Sequence, residues 1–221
     1  MSSMRRASSA VVAIIVTAAM GAAPRAGADP TADLMTLLPA GYSSDSCKAT
    51  ATKRALATVE CRDNSLPGGP TYATYSLFRD YAGTYDAFTA SLKNSTWAPA
   101  TCPGKQSSDP TAVLGPDGKT SGFIACGRST GADWQYRDGA VAWTRNADYF
   151  LAVAYVGYQG QAYPASLFNW VRAQQIESDC AASGGKYTAW HGDAEIYYSN
   201  CCFTDHCDEY VDGTYQGRSP G

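Results

Sequence analysis

Beyond its opening segment, this sequence has no apolar run long enough to cross a membrane. About 20 apolar residues are needed to span a bilayer, so a membrane-embedded body is excluded as a reading of the main part of the chain. Basic residues are also sparse: 17 Lys and Arg stand against 20 Asp and Glu, and no basic run is interleaved with aromatics. An acidic surface repels phosphates, which excludes DNA and RNA as expected partners. Histidine is nearly absent, with only His191 and His206, both close to the C-terminus. There is no strict alternation of strands and helices, which disfavours a parallel α/β core, and there is no internal repeat.

What is present begins with Arg5 and Arg6, followed by the apolar stretch Ala10 to Ala23, broken only by Thr17 and Gly21. This stretch is too short to span. It ends in Ala26-Gly27-Ala28 before Asp29-Pro30, with small residues where a signal peptidase reads, so residues 1–28 are expected to be a secretory leader cleaved after Ala28. A lipid anchor would need a cysteine directly after such a segment, and the first cysteine is Cys47. Cleavage also removes Arg5, Arg6 and Arg25 but no acid, leaving 14 basic residues against 20 acidic ones and a formal charge of −6 over 193 residues. The expected product is an exported protein with no membrane anchor after cleavage.

The eight cysteines are Cys47, Cys61, Cys102, Cys126, Cys180, Cys201, Cys202 and Cys207. An even count behind a leader reads as up to four disulfides; in a reducing cytosol the C-terminal group would suggest a metal site first.

Asp29 followed by Pro30 is a helix start, and Leu34, Leu37 and Leu38 share one face before Pro39 and Gly41 end it. Ala55 to Cys61 and Tyr72 to Phe78 read as strands, separated by turn-rich sequence. Tyr81, Tyr85, Phe88 and Leu92 recur at helical spacing. Pro99 to Gly118 is rich in Pro, Gly, Ser and Asp and is expected to be a loop. Gly122 to Cys126, Ala140 to Thr144 and Tyr149 to Val156 read as three more strands, the last two joined across Arg145 to Asp148 as a hairpin. Pro164 opens a last helix with Leu167, Phe168, Trp170 and Val171 inward. The expected fold class is α+β: a mainly antiparallel sheet of about five strands with helices on one face, over residues 29–177. Residues 178–221 are expected to form a disulfide-rich C-terminal appendage.

Leu37-Leu38-Pro39-Ala40-Gly41-Tyr42, Ala55 to Cys61, Gly68-Gly69-Pro70-Thr71 with Tyr75-Ser76-Leu77-Phe78, Cys102-Pro103-Gly104, Cys126-Gly127 and Ala142-Trp143-Thr144 form an ordered set. Together they resemble a small exported domain of mycobacteria and related actinomycetes, one that stands alone behind a signal peptide or outside the membrane in some serine/threonine kinases. The resemblance spans roughly residues 32–175. It implies the pairs Cys47 to Cys61 and Cys102 to Cys126, and it carries no catalytic motif onto this chain. The sequence beyond Ser178 departs from it.

Gly127-Arg128-Ser129-Thr130-Gly131 satisfies G-x-S-x-G, and Asp148 and His191 follow in the order of a serine hydrolase triad. An elbow of that kind must lead into a helix, whereas Gly131 to Gly139 reads as a turn into a further strand. The bland reading is a glycine-rich turn after a disulfide-tied strand, and a hydrolase using Ser129, Asp148 and His191 is the alternative. In the tail, His191 and His206 lie among Asp193, Glu195, Asp205, Asp208 and four cysteines, but paired C-x-x-C knuckles are missing, so no metal and no cofactor is expected. Disulfides from Cys180 to one of Cys201 and Cys202, and from Cys207 to the other, suit the spacing, which leaves the pairing open. Asp205, Asp208, Glu209 and Asp212 do not follow a calcium loop. Tyr75, Phe78, Tyr85, Phe88, Trp143 and Tyr149 fit core faces, whereas Tyr187, Trp190, Tyr197, Tyr198 and Tyr210 belong to a tail too small to bury them all. The expected function is that of a non-enzymatic, extracytoplasmic binding module for another protein or a cell-wall ligand.

Overall fold

The computed structural model describes residues 29–115, 118–130, 139–157, 165–191 and 197–221. The expected leader, Pro164 and most of the segment from Gly131 to Gly139 lie outside them. Helix α1 (Pro30–Thr36) starts as its sequence dictates: the Asp29 carboxylate accepts the Thr31 N–H at 2.9 Å, and Pro30 occupies the first turn. Its Leu34 is completely buried.

Strands β1 (Cys47–Thr50), β2 (Ala57–Arg62) and β3 (Tyr72–Leu77) form an antiparallel meander. Helix α2 (Tyr81–Leu92), capped by Asp80, then carries the chain to the far side of the sheet. There β4 (Trp97–Ala100) and β5 (Thr111–Leu114) lie end to end along one edge of β6 (Thr120–Ser129). Strands β7 (Gly139–Arg145) and β8 (Phe150–Val156) return to pair with β3. The result is an eight-stranded antiparallel sheet in the order β1-β2-β3-β8-β7-β6-β4, with β5 also on β6.

The five expected strands are its centre, β2, β3, β6, β7 and β8, but the sheet is larger than five strands. The additions β1, β4 and β5 have four residues each. β4 contains Pro99, which lacks an N–H to donate and is tolerated because β4 has a neighbour on one side only. The expected loop from Pro99 to Gly118 thus contains β5 and the end of β4.

Helices cover both faces of the sheet rather than one. Successive strand residues point to opposite sides. Val141 and Trp143 of β7 and Phe150, Ala152 and Ala154 of β8 share a core with Leu34 of α1 and with Leu167, Trp170 and Val171. Ala140, Ala142, Leu151 and Val153, the intervening residues, pack with Phe88 of α2, Phe78 and Trp97. Continuous apolar runs in β7 and β8 are the mark of strands buried on both sides.

Helix α3 (Ala165–Ala182) is continuous across Ser178, where the appendage was expected to begin. Gly184 follows it at a φ of 77°, and the Gly185 N–H donates to the Cys180 carbonyl at 2.9 Å, a left-handed cap that turns the chain back. A side chain at Gly185 would strike the sulfurs of Cys180 and Cys201. The tail then forms a second antiparallel sheet in the order β12-β11-β10-β9, from β9 (Lys186–His191), β10 (Tyr197–Cys202), β11 (His206–Val211) and β12 (Thr214–Pro220). α3 lies between the two sheets: Trp170 meets Trp143 edge-on at 6.3 Å, while Cys180 is bonded to Cys201 of β10.

Four disulfides are formed, Cys47–Cys61, Cys102–Cys126, Cys180–Cys201 and Cys202–Cys207, and no cysteine is free. The first two are the pairs implied by the resemblance, and the vicinal cysteines are divided as their spacing allowed. Four disulfides fit an oxidising, extracytoplasmic environment. Among the described residues, no helix is long and apolar enough to cross a membrane.

Candidate functional site

Pro39 and Gly41 end α1 early, and the chain beyond it forms one wall of an open cleft of about 630 Å³. Facing that wall is the turn from β7 to β8, and the last turns of α3 close the third side. The turn is fastened to the start of β6, because Asn146 donates its backbone N–H to the Ser121 carbonyl at 2.7 Å and its side-chain amide to the Thr120 carbonyl at 3.0 Å. On α3, Gln175, Ser178, Asp179 and Ala182 all reach the cleft, the i, i+3, i+4, i+7 pattern of one helical face. Leu37, Leu38, Trp143 and Phe150 supply its apolar lining.

Arg145 organises the polar half. Its guanidinium lies over the Phe150 ring, 4.6 Å from the centroid, and Nη1 donates to Ser178 Oγ at 3.3 Å. Nε is 2.9 Å from Asp148 Oδ2, an ion-pair distance, though off the line of a hydrogen bond. Nη2 and the Asn146 side-chain oxygen are buried with no hydrogen-bond partner among the described residues. Asp179 is half-buried beside them, and desolvation pushes its carboxyl above the ordinary range, opposed by Arg172 and Arg145 and reinforced by Asp148. Perturbed carboxyls and unsatisfied polar atoms in a concave site mark functional candidates.

The structure does not bring Ser129 and Asp148 together. Ser129 ends β6 opposite Trp97, whereas the turn bearing Asp148 is tied to Ser121, eight residues away along the same strand. That is roughly 26 Å at the rise of an extended strand. Among the described residues Gly127 to Ser129 is strand, paired with β4, rather than a turn. His191 ends β9 in the other sheet, and its side chain lies outside the described residues, as do Asp193 and Glu195. Asp148 belongs instead to the Arg145 cleft. In the tail, His206 Nδ1 is 2.7 Å from Asp205 Oδ1 and its ring stacks on Phe203. Among the described residues no group of three His, Cys, Asp or Glu is placed to hold a metal ion.

Of the aromatics assigned to the core, Tyr75, Phe78, Phe88 and Trp143 are buried, but Tyr85 and Tyr149 are exposed. Tyr85 stacks on Tyr81 at the surface of α2, and Tyr149 sits in the β7–β8 turn at a φ of 52°. The expected exposed aromatics in the tail are present in part. Trp190 is 47 % exposed and stacks on Tyr198, centroids 5.6 Å apart, on the face of the small sheet turned away from α3. Sequence reasoning missed the cleft because its polar groups come from two distant segments, Arg145 and Asp148 from the β7–β8 turn and Asp179 from α3, and form no motif. Comparison with family models, with curated proteins and with solved structures finds no match.

Proposed function

We propose that this chain is an exported, non-enzymatic binding protein of a bacterial envelope or extracellular space, and that the cleft between α1, the β7–β8 turn and α3 is its ligand site. The observation that carries the reading is the cleft itself: a concave volume of about 630 Å³ with an apolar lining and converging polar groups. The leader-like residues 1–28 and the four disulfides support export. The family resemblance, an actinomycete origin and a wall component or partner protein as ligand belong to the same proposal. The separation of Ser129 from Asp148 argues against the hydrolase alternative.

Expression with the native leader should release a chain whose N-terminal residue is Asp29. That chain, exposed to a soluble digest of bacterial cell wall and to envelope extract, should show ligand-dependent NMR shifts at Leu38, Asn146 and Gln175. No shift at these positions with any fraction would overturn the reading.

A further inference from the structure

The vicinal cysteines send their two bridges to opposite faces of the small sheet. Cys201 faces α3, where it and Cys180 are buried and a side chain at Gly185 would press on both sulfurs. Successive strand residues point to opposite sides, so Cys202 stands on the outer face, bonded to Cys207 directly opposite it on β11. Both are partly exposed, whereas Cys61, Cys102, Cys126, Cys180 and Cys201 are buried. Of the four bridges, only Cys202–Cys207 has no buried cysteine.

This bond constrains the chain little. It closes a sequence separation of 5, against 21 for Cys180–Cys201, and the entropy a disulfide removes from the unfolded chain falls with the length of loop closed. The hairpin it joins is also closed by other means. β10 and β11 pair from Tyr198 opposite Val211 to Cys202 opposite Cys207, and in the turn the Phe203 N–H donates to the His206 carbonyl at 2.8 Å.

Charge supplies an independent observation. On the other flank of β10, Lys186 lies directly opposite Cys202, so Lys186, Cys202 and Cys207 stand in one row across the outer face. Directly opposed residues have Cβ atoms about 4.5–5.5 Å apart, within reach of an ammonium on a flexible four-carbon stem. Glu209, the acid of β11 on that face, lies in the next row opposite Asn200, and Asp205 of the turn is engaged by His206 at 2.7 Å. A cation beside a sulfur stabilises its thiolate, the form that attacks and leaves in disulfide exchange.

We infer that Cys202–Cys207 is a thiol–disulfide exchange site that reacts with dithiols, and that Lys186 makes Cys202 the leaving sulfur. A thiolate of the dithiol attacks Cys207 Sγ, forming a mixed disulfide. The Cys202–Cys207 bond breaks, and its electron pair leaves on Cys202 beside Lys186. The second thiolate of the dithiol then attacks its own sulfur in the mixed disulfide and releases Cys207. The dithiol is oxidised to a disulfide, and the two protons it gives up end on the two cysteines. The site is separate from the cleft and does not depend on what the cleft binds.

The test is timed reduction of the secreted chain with dithiothreitol at pH 7, quenched with iodoacetamide and mapped by peptide mass spectrometry. Cys202 and Cys207 should be labelled about tenfold or more ahead of the other six cysteines, with hydrogen exchange across β10 and β11 still slow and the bond restored by oxidised glutathione. Release of another bridge at a comparable rate, or opening of the small sheet on this reduction, would overturn the proposal. Reduced glutathione, a monothiol, should leave its adduct on Cys207. Lys186→Met should slow reduction of this bond about threefold and Lys186→Arg should restore it, with thermal melts showing both variants folded. An adduct mainly on Cys202, or equal rates in wild type and Lys186→Met, would overturn the role given to Lys186.

Discussion

The two sheets of this protein solve the same problem with different means. In the large sheet, β7 and β8 are buried on both faces, and Tyr75, Trp143, Phe150 and Val141 lose nearly all contact with solvent. Each such side chain contributes about 1.5–3 kcal/mol by burial, so apolar packing is enough to define this region. Among the described residues the small sheet buries little beyond Cys201, Ser199 and Asp208. It is secured by disulfides on both faces, by Arg218 paired with Asp208 at 2.8 Å, and by Arg172 of α3, whose Nε and Nη2 donate to the Gly213 carbonyl at 3.2 and 3.0 Å. A region too small for a core depends on cross-links and directed polar contacts, and its open face is free to carry exposed aromatics.

The difference can be broken at its strongest point first. Trp143→Ala removes the largest completely buried side chain of the large sheet and should cost about 3–5 kcal/mol in denaturant unfolding. A loss below about 1 kcal/mol would show that the core does not rest on this layer. Removing the α3-to-tail disulfide by Cys180→Ala with Cys201→Ala opens a loop with a sequence separation of 21 and should cost about 3 kcal/mol. Hydrogen exchange should then rise across β9–β12 while β7 and β8 stay protected. Uniform loosening of both sheets would contradict the division.

Next in size is Arg172→Met, which removes the charged donors to Gly213 while keeping an apolar stem. It should destabilise by about 1.5–3 kcal/mol. Burial lowers the Arg172 pKa, yet the guanidinium stays charged in the working range, so the effect should not vary between pH 6 and 8. The smallest effect concerns Asp179→Asn. Because desolvation raises the Asp179 pKa in the folded state, ionisation is penalised there. The penalty is absent at pH values below the ordinary carboxylate range and complete above the folded pKa. The variant should therefore melt slightly above the wild type at pH 7, and the two should converge as pH falls toward 3. Arg145 and Asp148 of the β7–β8 turn and Arg172 of α3 act on this group in wild type and set the width of the window.

The large sheet was legible in the sequence because its central strands are apolar runs and its helices carry periodic leucines and aromatics. Asp29-Pro30 began α1 and Pro39-Gly41 stopped it, and Phe88 marked the inner face of α2. The small sheet was not legible, because its strands are polar and lack apolar alternation. One signal is present: Asp212-Gly213, between Val211 and Thr214, is a two-residue hairpin turn with φ of 47° and 71°. Helices on both faces were foreshadowed by the unbroken apolar runs of β7 and β8. The cleft itself had no local signature. Gln175, Ser178 and Asp179 share a helical face, but nothing in their spacing announces that Arg145 will lie across from them.

The most direct measurement is a backbone amide NMR map of the secreted chain titrated with a soluble digest of bacterial cell wall and with envelope extract. The largest shifts are expected at Leu38, Arg145, Asn146, Gln175 and Asp179, with the small-sheet face around Trp190 and Tyr198 unchanged. Shifts confined to Trp190, Tyr198 and their neighbours, or no shifts with any fraction, would contradict the assignment of the cleft as the binding site.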